Sequence, residues 1–395
     1  MWFTNLLTGG GVATTVLMLS VSIFAGLLLG KLKFKGITLG ITWVLFVGIG
    51  LSACGIMCNH DMLHIIKEFG LILFVTAVGL QVGPGFFASF KKGGLAMNVL
   101  AVVNVALGVG LAVLIAKLSG EDLVSMAGVY TGAVTNTPGM SAAQQTVTDL
   151  GLDKADVIAN GYAVAYPLAV VGMILTCIVL RPLCRIDLTK EPTTESSANV
   201  ESSSAAQASK PKVQLIPIFV IIAVGIVLGC IPIPVGMSAP VKLGLAGGPL
   251  VAALVGSWWC VKKGWLGTDF TESHGVAMVR EVGIALFLAG VGLGAGSSFV
   301  STIQAGGYMW VLYGFIITVV PPMLVALFAR LVLHVNYYTL MGFIGGSHTD
   351  PPTLAFANNV APEGCKLPNV GYATVYPLTM FLRIFTAQLL VLMAV

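Results

Sequence analysis

The chain has 395 residues, 57% of them hydrophobic and only 9% charged, with a net charge of +4 and a mean hydropathy of +0.96. A soluble domain carries about a quarter charged residues, so a water-soluble globular protein is excluded, and no basic, aromatic-interleaved patch suggests nucleic acid. Uncharged stretches such as Leu71–Phe90, Val157–Leu180 and Gly283–Ala305 are each long enough to cross a hydrocarbon core of roughly 30 Å as a helix.

Taken in chain order, the first apolar run is Val12–Gly30. It lacks the basic start and small-residue cleavage site of a signal peptide, and Lys31, Lys33 and Lys35 follow it, so it reads as a retained helix. Further apolar segments are predicted at about 37–56, 69–90, 94–116, 123–147 and 157–180. Asp187–Val213 is rich in Ser, Thr, Glu, Lys and Pro and reads as a flexible polar linker. Six more apolar segments follow at about 214–231, 243–261, 279–300, 308–330, 339–358 and 369–392. Cys54, Cys58, Cys177, Cys184, Cys230, Cys260 and Cys365 show no CxxC spacing and read as small packing residues. No metal or cofactor is expected.

The chain repeats itself. Glu68-Phe-Gly-Leu-Ile-Leu-Phe74 recurs as Glu281-Val-Gly-Ile-Ala-Leu-Phe287, an offset of 213. The same offset carries Gly79-Leu80 onto Gly292-Leu293, Gly132 onto Gly345, and Thr137-Pro138 onto Asp350-Pro351. After a three-residue deletion, Gly161–Leu168 meets Gly371–Leu378. A register held over about a hundred residues marks a duplication.

Charge sets the topology. With the N-terminus outside and the fifth segment of each half entering and leaving on one side, every loop cation except Lys67, Lys117, Lys154 and Lys242 faces the cytoplasm. If the fifth segment spanned fully, Arg181, Arg185 and the basic linker would switch outside. The expected fold is therefore an all-α integral membrane protein with two inverted repeats, each of five transmembrane helices plus one re-entrant, broken segment. Residues 1–186 form the first repeat, 187–213 the cytoplasmic linker and 214–395 the second, inverted repeat. The expected location is the bacterial inner membrane.

The broken segments read Gly128-Val-Tyr-Thr-Gly-Ala-Val-Thr-Asn-Thr-Pro-Gly139 and Met341-Gly-Phe-Ile-Gly-Gly-Ser-His-Thr-Asp-Pro-Pro352. Pro suits the first turn of a helix, and Thr, Asn or Asp before it can cap that turn. Unpaired N–H groups and the dipole at such an end attract an anion. Two such tips, meeting near the bilayer midplane, would frame one site. The candidate substrate-binding residues are Thr135, Asn136, Thr137, Pro138 and Gly139 from the first tip, and Ser347, His348, Thr349, Asp350 and Pro351 from the second. Arg383 joins them, because a guanidinium inside an apolar helix is costly and suits a carboxylate. Asp350 and His348 meet Thr137 and Thr135 in the repeat register, and Asp350 is the candidate coupling residue. Lys67-Glu68 and Arg280-Glu281 are expected at helix starts as anchors.

At these residues the chain resembles a known family. The run "FVTAVGLQVGPGFFASF", the "TGAVTNTP" segment and the later "GYATVYPL" look like the duplicated membrane domain of bacterial aspartate–alanine exchangers. The resemblance implies antiport of small carboxylates, a core moving against a scaffold, and a homodimer. Typical members carry soluble regulatory domains between the halves, where this chain has only the linker. The expected partners are a small carboxylate or amino acid, Na+ or protons, and the lipid bilayer. The expected function is secondary transport of a small organic anion by exchange, not enzymatic chemistry. The alternatives are a Na+- or proton-coupled symporter, a cation/proton antiporter using Asp350, or a channel.

Overall fold

A computed structural model describes residues 9–32, 40–86, 94–188, 191–193, 215–232, 242–271 and 273–394. Among these residues the regular structure is helical throughout. The first half runs α1 (Val12–Leu29), α2 (Trp43–Ala53), α3 (His60–Phe86), α4 (Gly94–Ser119), α5 (Leu123–Ala133), α6 (Thr137–Asp149) and α7 (Ala155–Leu183). The second half runs α8 (Leu215–Cys230), α9 (Gly244–Lys262), α10 (His274–Thr302), α11 (Met309–Leu331), α12 (Tyr337–Ser347), α13 (Pro351–Val360) and α14 (Leu367–Leu392). A one-turn helix, Thr268–Thr271, precedes α10, and a π-helical turn, Ile303–Gly307, follows it.

Among the described residues, α1, α3, α4, α7, α9, α10, α11 and α14 are long and apolar enough to cross a membrane, while α2, α5 and α8 are shorter apolar helices. Such helices satisfy their own backbone polar groups, which is what a bilayer demands. The chain is an all-α, multi-pass membrane protein.

Two starts differ from expectation. Helix α3 begins at His60, ahead of the expected residue 69, because Asn59 Oδ1 accepts from Met62 N at 2.9 Å and supports a polar first turn. Helix α10 begins at His274, where Ser273 accepts from Val276 N at 3.3 Å. Lys67, Glu68 and Arg280 therefore lie inside helices, not at their starts. Lys67 and Glu68 pair at 3.2 Å with both side chains mostly buried, and Arg280 Nη1 donates to Gln81 Oε1 at 2.9 Å. Partners for these charges within reach let the helix continue through them.

Packing sorts the helices into two groups. Helices α1–α3 pack with α8–α10, chiefly as α3 on α10 and α9, and α10 on α2. At the α3–α10 crossing, a Cβ on Gly70 would stand 2.8 Å from Gly283 O, and one on Gly283 would stand 2.7 Å from Gly70 O. Only glycine lets the backbones approach this closely, and such approach holds helices together in lipid. Helices α4–α7 pack with α11–α14, chiefly α5 on α7, α12 on α14, α11 on α7 and α14 on α6. The groups meet where α7 touches α10 and α6 touches α9.

The start of the linker is docked. Arg330 Nη1 and Nη2 donate to Glu191 Oε1 and Oε2, each at 2.8 Å, and Tyr337 N donates to Oε1 at 2.8 Å. Asn336 Nδ2 holds Pro192 O and Tyr338 OH holds Leu188 O. Positions 194–213 of the expected tether lie outside the described residues, as do Lys33, Lys35, Lys91, Lys92, Lys190, Lys210 and Lys212 of the charge argument.

Candidate functional site

Both predicted breaks exist, and both are built in the same way. Helix α5 ends on Val134, Thr135 turns left-handed at φ 50°, and Asn136 caps α6. Helix α12 ends on His348, Thr349 turns left-handed at φ 58°, and Asp350 caps α13. Each break closes with the paired bonds of a Schellman end. Asn136 N donates to Thr131 O and Thr135 N to Gly132 O, just as Asp350 N donates to Gly345 O and Thr349 N to Gly346 O. The residue that finishes one helix thus starts the next. A β-branched residue at positive φ is uncommon, and such backbone strain concentrates at functional positions.

The two breaks end on each other at the buried centre of the second helix group. Thr135 Oγ1 donates to His348 O at 2.8 Å, and Thr349 Oγ1 donates to Val134 O at 3.5 Å. Asn136 Nδ2 donates to Thr349 Oγ1 at 3.1 Å. Thr135, Asn136, Thr137, Pro138, Gly139, Ser347, His348, Thr349 and Asp350 are all buried, and only Pro351 is exposed. The structure brings every tip residue named from the sequence to one junction.

The structure also shifts the correspondence by one residue here. The caps Asp122 and Asn336, the last helical residues Ala133 and Ser347, and the caps Asn136 and Asp350 are each 214 apart. Asp350 therefore matches Asn136, not Thr137, and His348 matches Val134, not Thr135. The extra residue lies before α12, where the helix-capping asparagine stands one place later than in the first half. A Thr-Pro to Asp-Pro alignment hid it, because the second tip carries two prolines and either could be matched.

Carbonyls at a helix end need donors. At the end of α5, Thr318 Oγ1 donates to Ala133 O at 2.7 Å. At the end of α12, Thr379 Oγ1 donates to Gly346 O at 2.9 Å, and the Arg383 guanidinium takes Ser347 O, with Nε at 2.8 Å and Nη2 as a second donor. Arg383 Nη1 donates to Tyr130 OH at 3.1 Å, and its carbon lies 5.8 Å from the Tyr130 ring centre. Arg383 is 1% exposed and forms no ion pair with Asp350 among the described residues. It is partly a structural cap.

The helix starts are less open than the sequence suggests. Pro351 and Pro352 supply no N–H, and Thr353 N is spent on Asp350 Oδ2 at 2.9 Å. Pro138 likewise supplies none, and Gly139 N is spent on Asn136 Oδ1 at 2.6 Å. At both tips the capping side chains and the prolines thus leave few open backbone donors, and the buried Arg383 guanidinium lies beside them.

Sequence reading missed several polar residues that serve the junction: Asn104, whose Nδ2 donates to Ser347 Oγ at 3.0 Å, and Tyr130, Thr318 and Thr379. Their one signal was a lone polar group within an apolar helix. Gln144 was missed as well. It lines a cavity of about 490 Å3 between α3, α6, α7 and α10, together with His60, His64, Lys67, Glu68 and Asp156. None of the tip residues lines that cavity.

With this geometry in view, a family profile described as a predicted permease membrane region, of the aspartate–alanine exchanger type, matches the chain twice, over residues 18–182 and 217–392. The chain belongs to the aspartate–alanine exchanger family. Within this family, the chain is 36% identical to an uncharacterized transporter of Bacteroides fragilis (strain YCH46), covering 98% of this chain and 97% of the relative. It is 35% identical to an uncharacterized transporter of Bacteroides thetaiotaomicron (strain VPI-5482), covering 99% of each. Those alignments run over 551 and 558 positions against 395 residues here, so these exchanger-family relatives carry residues that this chain lacks. No solved structure matches the chain. The family and its relatives make the protein a membrane transporter.

Proposed function

We propose that the protein is a secondary active transporter of small organic anions, a dicarboxylate or an amino acid such as aspartate or alanine, in the bacterial inner membrane. It works by exchange and alternating access between two inverted halves. One observation carries this reading. Two broken helices, one from each half, end on each other beside a buried guanidinium that keeps free donors. A guanidinium has five N–H groups, and three are committed to Ser347 O and Tyr130 OH. The remaining two suit a carboxylate, which accepts parallel bonds from such a fork. The group α4–α7 with α11–α14 would carry this site past the group α1–α3 with α8–α10, an elevator-like motion. A channel would not need a guanidinium buried at a closed junction.

The test is thermal stabilisation of the purified protein by succinate, aspartate and alanine, repeated on Arg383→Lys. A ligand at a hundredfold excess over its Kd adds about 2.7 kcal/mol of stability. We expect a shift with at least one of these acids, lost in Arg383→Lys, which keeps the charge but not the fork. A shift with Na+ alone, lost in Asp350→Asn, would replace this reading with a cation-coupled carrier.

A further inference from the structure

Asn136 and Asp350 occupy matching places, and they differ in one terminal group. Each caps its helix by accepting from the backbone N–H three residues on, Gly139 N or Thr353 N. Asn136 uses its second terminal atom, Nδ2, to donate to Thr349 Oγ1 across the junction. Thr349 can accept, because its hydroxyl hydrogen points to Val134 O.

At the other tip the partner threonine is set in the same way. Thr135 spends its one hydroxyl hydrogen on His348 O at 2.8 Å, so its oxygen can only accept. Its side chain stands beside the Asp350 carboxyl. Asp350 is 0% exposed, and Oδ2 takes both Thr353 donors, the backbone N at 2.9 Å and Oγ1 at 2.6 Å. Oδ1 is buried with no hydrogen-bond partner. An ionised Oδ1 would present lone pairs to an oxygen that also has only lone pairs to offer.

We infer that Asp350 holds a proton on Oδ1 and donates it to Thr135 Oγ1, repeating the bond that Asn136 makes to Thr349. The surroundings agree. Tyr162, Tyr166 and Cys177 on α7 and Tyr372 on α14 face Asp350 within electrostatic reach, and His348 shares its turn. Tyr162, Tyr166, Cys177 and Tyr372 carry no positive charge, and Arg383, also on α14, is bonded to Ser347 O and Tyr130 instead. The dipole of α13 favours an anion at its start. That attraction is smaller than the cost of an ionised carboxylate buried with one bare oxygen.

The proton-held bond crosses between the halves, so losing the proton removes one link between the tips. Asp350 is thus a proton site whose occupancy and the closure of the junction favour each other. Only this coupling rests on reading the junction as a transport site; the protonation rests on the full burial of Asp350, its unpartnered Oδ1 and the Thr135 hydroxyl directed at His348 O.

Infrared difference spectroscopy of the purified protein at neutral pH tests it. The wild type minus Asp350→Asn spectrum should contain a carboxylic-acid carbonyl band that moves in D2O. Thr135→Val, which removes the acceptor, should shift that band to higher frequency, and Thr135→Ser should not. A difference spectrum with carboxylate bands alone, or carboxylate bands that respond to Na+, would overturn the inference. So would an acid band indifferent to Thr135→Val. Should Asp350→Asn fail to fold, the Thr135→Val shift on the native acid decides alone. If no organic anion binds, the proposed function fails while the band remains, which keeps the two outcomes apart.

Discussion

At the scale of single residues, Arg383 does two jobs that can be separated. Its Nε and Nη2 cap the last carbonyl of α12, and its Nη1 reaches Tyr130 OH, which also contacts Thr386 Oγ1 at 3.2 Å. Arg383→Ala leaves Ser347 O buried without that cap, a loss of about 1–3 kcal/mol. A lowered midpoint in thermal denaturation should report it even without ligand. Tyr130→Phe removes only the hydroxyl beside the charge, and a loss near the lower end of that range is expected in the same assay, with substrate stabilisation retained. An unchanged midpoint in both variants would show that neither contact stabilises the fold. The sequence made Arg383 and Asp350 legible because a charge in an apolar segment stands out. It hid Asn136 as the counterpart of Asp350, because a one-residue shift leaves no mark when both tips carry proline.

At the scale of helices, the breaks were readable where the chain itself encodes them. Thr, Asn or Asp followed by Pro stops and restarts a helix whatever surrounds it, and both stops fall where that chemistry predicts. The starts of α3 and α10 were not readable, since His60–Glu68 and His274–Glu281 carry charges that a hydropathy argument assigns to loops. Their charges are met within the fold, locally by the Lys67–Glu68 pair and across helices by the Arg280–Gln81 bond. The α3–α10 crossing depends on glycine at both contact points. Gly70→Leu should force the two backbones apart and cost at least the 1–3 kcal/mol typical of overpacking. Loss of monodisperse protein on size exclusion would register it, with Gly70→Ala affected less. Full recovery of Gly70→Leu would show that the crossing can spread without harm.

At the scale of the whole molecule, the two halves share an element order but not a state. Helix α6 is buried along most of its length, including Ser141 at 2% exposure, whereas on α13 only Thr353 and Ala357 are buried. Ser141 and Ala355 are 214 apart, hence equivalent, yet Ala355 is exposed. In a carrier that alternates, this difference should reverse. In a cysteine-free background, Ala355→Cys should react quickly with a water-soluble thiol reagent and Ser141→Cys slowly. A transported anion should draw the two rates together. Rates fixed under every ligand condition would argue against alternation. The sequence points the other way, since the buried α6 carries Gln144, Gln145, Thr146, Thr148 and Asp149 and is the more polar segment. Burial depends instead on how the helix groups sit against each other.

The reciprocal bonds at the junction carry a consequence for the origin of the chain. Thr135 reaches the carbonyl that ends α12, and Thr349, its equivalent, reaches the carbonyl that ends α5. Residue i meets j while j meets i, which is the signature of an isologous contact between identical subunits. A half-length ancestor with one such break would have left that carbonyl unpaired alone and satisfied it on pairing with a second copy. Fusion of two such copies would release each tip from having to match the other, which is consistent with an amide at position 136 and an acid at 350.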